Sequence, residues 1–321
     1  MDEIIRNVIE SLDISINKES KHVQYSSKDY IPINFSIDNF QPINPQKGKI
    51  AFIDGGNCEI LSSVNFSLQF FRIYYCVFDG KMVDSGKEEF FGLVSSIGKD
   101  KDIFYETKLF GSSLKIPLIN SKEDFMSNGN VRGKVSKVAD IIRRLAEIKI
   151  SEKINSDYIV LDGNLKADND FIKEAMFGKK LYALSKTNEL FTDSGNSLCV
   201  ELNVMSPIKS WYYYPLVKIK SSFHDADVVI AKFHSKSKYV FKLETPKDDD
   251  LKIVDVIAFN SKDPVFLGYP YGLIKADKFA RVSNNEKEYF KIKFLSNIKD
   301  KEKITQYLNT INAHDILDNI L

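Results

Sequence analysis

Two kinds of apolar run alternate along this chain. Continuous β-branched and aromatic runs occupy 51–54 and 158–162, each ending on an aspartate followed by glycine. Runs of this length without polar interruption read as strands covered on both faces, as in the centre of a mixed or parallel sheet. Longer, loosely alternating runs at 64–78, 82–94 and 103–110 read as neighbouring strands joined by short turns, an antiparallel meander. Helical spacing of Val135, Val138, Ile142 and Leu145 predicts a helix over 134–153. A first helix over 2–13 gathers Ile4, Ile5, Val8, Ile9 and Leu12 on one stripe, which needs a partner surface. Between 15 and 48 the chain is polar and punctuated by Pro32, Pro42 and Pro45, so it reads as an extended connector.

Behind the meander, strand 158–162, helix 168–177 and strand 181–185 alternate, which predicts α/β layering. Runs at 228–233 and 239–244 pair through the polar turn 235–238. Segments 249–259 and 273–280 read as helices, and a terminal helix runs from 300 to 321. There is no internal repeat.

Composition narrows the class without naming it. In 321 residues, 43% hydrophobic and 28% charged content describes a soluble globular protein with a sizeable core. Net charge is only +1, from 45 basic and 44 acidic residues, so any nucleic-acid surface must come from local segregation of cations. Cys58, Cys76 and Cys199 show no metal spacing and leave an odd thiol, which fits a reducing interior. Cys58 reads as a small hydrophobe rather than a nucleophile, because no histidine lies near it in sequence. No apolar stretch is long enough to span a bilayer, and the acidic N-terminus lacks a signal-peptide core, so the expectation is a cytoplasmic protein with no membrane partner.

Asp54 and Asp162 are the first candidate chemistry. Aspartates at the ends of sheet strands sit where open α/β sheets place their sites, and two converging carboxylates suit a hard divalent cation. Asp-Gly between apolar runs is also a leading hairpin-turn signal. Five strand-like runs with helices beside them suggest a ribonuclease-H-like arrangement, in which several carboxylates hold one or two ions that activate water against a phosphodiester. Two further acids are candidates. Glu147 faces away from Val138, Ile142 and Leu145 and follows Arg143 by four residues, so its alternative is a solvated ion pair. Asp277 follows the turn Gly268-Tyr-Pro-Tyr271, with an exposed helical position as its alternative.

Six segments taken together resemble the NurA nuclease family: Ile53-Asp54-Gly-Gly; Ser67-Leu-Gln-Phe-Phe-Arg72; Arg144-Leu-Ala-Glu147; Val160-Leu-Asp162-Gly-Asn-Leu165; Leu184-Ser-Lys186-Thr; and Gly268-Tyr-Pro-Tyr with Ala276-Asp277. They occur in order from about 48 to 283. The resemblance implies an α/β fold with an RNase-H-like mixed sheet flanked by helices. In that reading 48–290 is the nuclease domain, 1–47 an N-terminal helix and connector, and 291–321 a C-terminal helical extension. It further implies Mn²⁺- or Mg²⁺-dependent cleavage of DNA by two ions, as single-strand endonuclease and 5′–3′ exonuclease in double-strand-break end resection. The implied partners are DNA, a HerA-type hexameric ATPase and a second copy of the chain in a homodimer. Position by position, Asp54, Glu147, Asp162 and Asp277 match the family's acidic metal ligands. Arg72 and Lys186 match its recurring basic positions, and Arg144, Tyr269 and Tyr271 lie within the matched motifs as DNA contacts. There are two departures. Gly56 stands where many relatives carry serine, removing a hydroxyl near the metal. Asp277 stands where some carry histidine, making the ligand set all oxygen.

Other residues carry two readings each. Lys186, just past a strand, either neutralises a phosphate or lies in solvent. Arg72, within an aromatic strand, needs an anionic partner if its face is buried. Trp211-Tyr-Tyr-Tyr214 can stack on bases, but rings of this kind more often fill a core or an interface. His224 and His234 show no regular metal spacing and read as surface or supporting residues. Lys232, Lys236, Lys238 and Lys242 on one hairpin either track a DNA backbone or form a solvated face. A non-catalytic module binding DNA or the ATPase is the competing function. An actin-like ATPase is a further one, and the C-terminal half lacks the glycine-rich adenosine loop it needs.

Overall fold

The computed structural model describes all residues except 17, 18, 128, 130, 187, 188, 301, 303 and 309–321. Helix α1 (Asp2–Ile16) precedes three short strands, β1 (Val23–Gln24), β2 (Tyr30–Pro32) and β3 (Phe40–Pro42). The meander follows as β4 (Lys49–Ser63), β5 (Phe66–Asp79), β6 (Met82–Lys99) and β7 (Asp102–Phe110), with β8 (Ile119–Asn120) at its edge. Then come α2 (Val138–Ser151), β9 (Tyr158–Asp162), α3 (Asp170–Met176) and β10 (Tyr182–Ser185). Beyond lie β11 (Phe191–Thr192), α4 (Leu198–Met205), β12 (Trp211–Tyr213), β13 (Val217–Ile219), β14 (Asp227–Lys232) and β15 (Phe241–Thr245). Helices α5 (Ile253–Phe259), α6 (Tyr271–Ala280) and α7 (Asn284–Asn297) follow.

The main sheet has eleven strands in the order β3-β12-β14-β15-β10-β9-β4-β5-β6-β7-β8. Pairing is parallel for β4–β9 and β9–β10 and antiparallel for the neighbours on either side. This is the α/β mixed sheet flanked by helices that the hydrophobic pattern anticipates. The parallel centre is buried on both faces, as parallel sheets are. Alternate residues of β4 show how: Ala51 and Ile53 join Ile142 and Leu145 of α2 in one core, while Ile50 and Phe52 join Val256 of α5 and Leu273 of α6 in the other. Side chains alternate across a strand, so a continuous apolar run is required wherever both faces are covered. Each fully buried Phe or Ile here contributes roughly 1.5–3 kcal/mol.

The structure changes three expectations. First, β4 does not end at Asp54; it continues through Gly55 and Gly56 to Ser63. The two glycines serve close approach rather than turning. A Cβ on Gly55 would stand 2.6 Å from Glu147 Oε1, and one on Gly56 would stand 2.2 Å from the carbonyl oxygen of Ala280. The other Asp-Gly does turn, with Gly163 at φ +100°. Second, the 15–48 segment contributes strands: β3 is an edge of the main sheet against β12, while β1 and β2 pair with β11 and β13. Pro42 and Pro32 lie on these edge strands, where a missing N–H is tolerated. Third, α7 begins with a capping box between Ser283 and Glu286 and lays Phe290 and Phe294 against Phe70 and Phe91.

Of the terminal helix expected over 300–321, positions 302 and 304–308 are helical, and 309–321 lie outside the described residues. The α1 stripe of Ile4, Ile5, Val8, Ile9 and Leu12 is exposed. Among the described residues, no helix is long and apolar enough to cross a membrane.

Candidate active site

Three carboxylates meet at one end of the sheet's parallel centre. The ladder between β4 and β9 ends at Ile53 opposite Leu161, which makes Asp54 and Asp162 the next residues on their strands. Two-residue steps from Phe52 to Asp54 and from Val160 to Asp162 place both on the sheet face that α6 covers. Asp277 comes from α6 itself. One carboxylate oxygen from each of Asp54, Asp162 and Asp277 lies within 4.8 Å of the others. The close seating of α6 depends on Gly272, where a Cβ would fall 2.0 Å from the Phe52 ring.

Lys186, just past β10, closes the cluster. Its Nζ donates to Asp162 Oδ2 at 2.7 Å and to Asp277 Oδ1 at 3.1 Å. Burial works to lower its pKa, but the hydrogen bond and charge of Asp162, then the hydrogen bond of Asp277 and the charge of Asp54, raise it. Asp54 is 7% exposed and accepts from the Gly55 N–H at 2.8 Å. Burial first, then the charges of Asp162 and Glu147, push its carboxyl up to about 7, with Lys186 and the Gly55 N–H opposing. Three carboxylates against the Lys186 ammonium and the exposed Arg281 guanidinium, 2.9 Å from Asp277 Oδ2, still leave an excess of negative charge, and all the donors are hard oxygens. Residues and geometry therefore suit a divalent cation of the Mg²⁺ or Mn²⁺ kind.

Glu147 approaches from α2, over Gly55, on the opposite face of β4. It is not the outward residue its helical position suggests, being only 4% exposed. Helix α2 is buried nearly all round, from Val138 through Ile141, Ala146, Ile148 and Ile150, so the face away from Leu145 is also covered. Its Oε2 accepts from Arg144 Nη1 at 3.0 Å, and its Oε1 lies 3.6 Å from Arg143 Nη1. Glu147 is thus near enough to raise the Asp54 pKa but stands outside the three-carboxylate cluster. Arg144 also donates to the Asn164 carbonyl, tying α2 to the loop after Asp162.

A cleft of about 770 Å³ opens from these residues along α2 and α3. Lys137, Arg143, Arg144, Lys166, Lys186 and Lys242 line it together with the acids. Asp140, Asp168 and Glu189 line it beside Asp54, Glu147 and Asp162, so six acids balance the six cations, and the cleft gathers both charges rather than segregating cations.

One element of the candidate site has no local signal in the sequence. Glu244 of β15 is 1% exposed and accepts from the Leu165 N–H at 2.6 Å, from Lys242 Nζ at 2.7 Å, and pairs with His224 Nε2 at 2.9 Å. His224 is therefore a buried supporting residue, with Tyr30 at 3.0 Å from its other ring nitrogen. Burial alone would raise the Glu244 pKa, but His224 and Lys242 hold it down to about 2. The network clamps the loop that follows Asp162.

Other candidates lie elsewhere. Arg72 bonds to Glu89 at 2.6 Å and Glu286 at 2.7 Å, joining β5 to β6 and α7 rather than to the carboxylates. Trp211 and Tyr213 are fully buried core residues. Tyr269 is buried beside the cluster, whereas Tyr271 is exposed and packs edge-on against Phe78. Lys242 of the lysine-rich hairpin lines the cleft, while Lys232 bonds to Asn203. Cys76 is buried, and Cys58 is half-buried with its thiol pKa raised by burial.

The fold is one found among nuclease structures. The NurA nuclease from Sulfolobus solfataricus superposes with a TM-score of 0.53 at 12% identity, over 92% of this chain and 93% of that one. Endonuclease V from Ciona intestinalis, in complex with a 24mer DNA, gives a TM-score of 0.40 at 10% identity over 78% and 92%. Endonuclease V from Streptomyces avermitilis gives 0.35 at 11% identity over 87% and 91%. At 12% identity the likeness to the NurA nuclease is one of fold. No protein-family model and no curated protein matches the sequence.

Proposed function

We propose that this chain is a divalent-metal-dependent DNA nuclease of NurA type. The observation that carries the reading is the cluster of Asp54, Asp162 and Asp277 oxygens within 4.8 Å, closed by Lys186 at the mouth of a charge-lined cleft. These three residues would hold the ion, which when bound supplies an acidified water and charge stabilisation at a phosphodiester. Lys186 sits where it can neutralise a phosphate oxygen, moving from Asp162 and Asp277 as that charge arrives. The Arg143, Arg144 and Lys166 side chains along the cleft would track the strand's phosphates, and Glu244 holds the Asp162 loop still. A second ion would draw on Glu147, whose Oε2 is now held by Arg144. Action on DNA ends and single strands, a HerA-type ATPase partner and a homodimer belong to the same proposal, as does the division at 1–47, 48–290 and 291–321.

The test is degradation of end-labelled single-stranded DNA with Mn²⁺, beside an Asp54→Asn variant and a control in EDTA. Degradation by the wild type with Mn²⁺, absent in the variant and in EDTA, is the expected result. Equal degradation by both proteins, or none by either, would refute the catalytic reading.

A further inference from the structure

Lys186 and Asp277 border a second hollow, of about 280 Å³, whose character differs from that of the cleft. Its walls are Phe241, Val265, Phe266, Tyr269 and Ile274. Phe266 stacks on Tyr239 with centroids 4.9 Å apart and meets Tyr269 edge-on at 5.7 Å. This aromatic shelf is open to water, with Phe266 at 36% and Val265 at 79% exposure. Tyr269 lies beneath it, 2% exposed, with its buried hydroxyl on the side of Asp162.

We propose that this hollow seats the unpaired base of the nucleotide adjoining the phosphate held at the carboxylates. The proposal rests on the nuclease reading of the same site and names the form of its substrate. A nucleotide is a polyanionic backbone carrying a flat apolar face. Here a charge-lined cleft and an aromatic hollow share Lys186, so one nucleotide can place its phosphate by that ammonium and its base against Phe266. Apart from Lys186 and Asp277, which face the phosphate, and the buried Tyr269 hydroxyl, the wall side chains are apolar, so any of the four bases fits by stacking. A paired base, stacked within a duplex, is denied entry. The site therefore selects single strands and frayed ends.

The experiment compares oligo-dT with a fully abasic strand of equal length, each labelled with fluorescein. Affinities are measured by anisotropy in Ca²⁺ with the full chain, and cleavage separately in Mn²⁺. The wild type should prefer oligo-dT, and Phe266→Ala should lower that preference by about tenfold, as loss of one stacked base does. Phe266→Tyr should restore it. Val265→Asp, which sets a like charge in the hollow at an exposed position, should lower the preference as well. An unchanged preference in both Phe266→Ala and Val265→Asp overturns the base-seat, as does failure of the wild type to distinguish the two strands. Base-dependent binding without Mn²⁺-dependent cleavage instead defeats the nuclease reading and leaves the base-seat standing.

Discussion

Adding one methyl group at Gly56 should damage the site from a distance. In this chain β4 runs straight past Gly56, and the C-terminal turn of α6 lies directly over it. The Cβ of an alanine would be 2.2 Å from the Ala280 carbonyl oxygen and 2.9 Å from its carbonyl carbon. Real Cβ atoms do not approach backbone this closely, and no side-chain rotation relieves it. Restoring ordinary carbon–oxygen contact requires a shift of about 1 Å, since packed atoms separate at roughly 3.5 Å and slight compression is tolerated. The shift must be taken by α6 or by β4. At Gly56 strand β4 is pinned by its ladder to β5, which is continuous from Lys49 to Glu59, and three residues earlier it is also paired with β9. Helix α6 therefore moves, and it carries Asp277 three residues before Ala280. Overpacking of this kind costs typically about 1–3 kcal/mol. Metal–oxygen distances are tolerated within about 0.2 Å, so a 1 Å displacement of one ligand should weaken ion binding more than it weakens the fold. The assay pairs urea denaturation in EDTA with a Mn²⁺ titration followed by thermal shift. Gly56→Ala is expected to lose about 2 kcal/mol of stability and most of its Mn²⁺-induced stabilisation. Gly56→Ser should behave alike, since the obstacle is Cβ itself and not the hydroxyl. Wild-type stability together with wild-type Mn²⁺ response in Gly56→Ala would refute the argument that this glycine is there for the α6 carbonyl.

Two predictions concern pH in EDTA. The Asp54 carboxyl rises from 3.8 to about 7 on folding, so its ionisation penalises the folded state as pH rises from the lower value to the higher. Asp54→Asn keeps an oxygen for the Gly55 N–H and removes that penalty. Its stability gain over the wild type should be near zero at about pH 4, grow to neutrality and level off above, with a ceiling of about 4 kcal/mol from 1.36 kcal/mol per pKa unit. A gain independent of pH, measured by urea melts across that range, would sink it. Glu244 has the opposite sign: folding lowers it from 4.5 to about 2, so its contribution is present above the upper value and fades as pH falls through the lower. Glu244→Gln leaves His224 and Lys242 without their anion and should cost about 3 kcal/mol at neutral pH, as breaking a buried ion pair does. The loss should shrink below about pH 4, and a variant as stable as the wild type at pH 7 would refute the clamp.

Much of the site could be read before any coordinates, and the reason is period two. Phe52 to Asp54, Val160 to Asp162 and Leu184 to Lys186 are two-residue steps from a buried apolar position to a charged one. Once 51–54, 158–162 and 181–185 are neighbouring strands, all three charges must share a face. Alternation carries no information about which helix covers that face, so Asp277 is a candidate through the Gly268-Tyr-Pro-Tyr271 turn before its helix and through likeness to a family, not through period two. Local rules failed where a tertiary contact outranked them. Asp-Gly marks a turn at Gly163, where nothing crowds the backbone, but at Gly55 the same pair extends because Glu147 and Arg143 close over it. Helical geometry put Glu147 outside because the wheel assumes one buried stripe, whereas α2 is covered on several sides. The Ser283-x-x-Glu286 box was a readable helix start, and α7's weak apolar pattern hid what followed it. Glu244 lies 79 positions from Leu165, whose N–H it accepts, and no local pattern signals a pairing over that distance. The common cause is that strands state their faces in their own sequence, while the residues that steady a site are chosen by what the completed fold leaves unpaired.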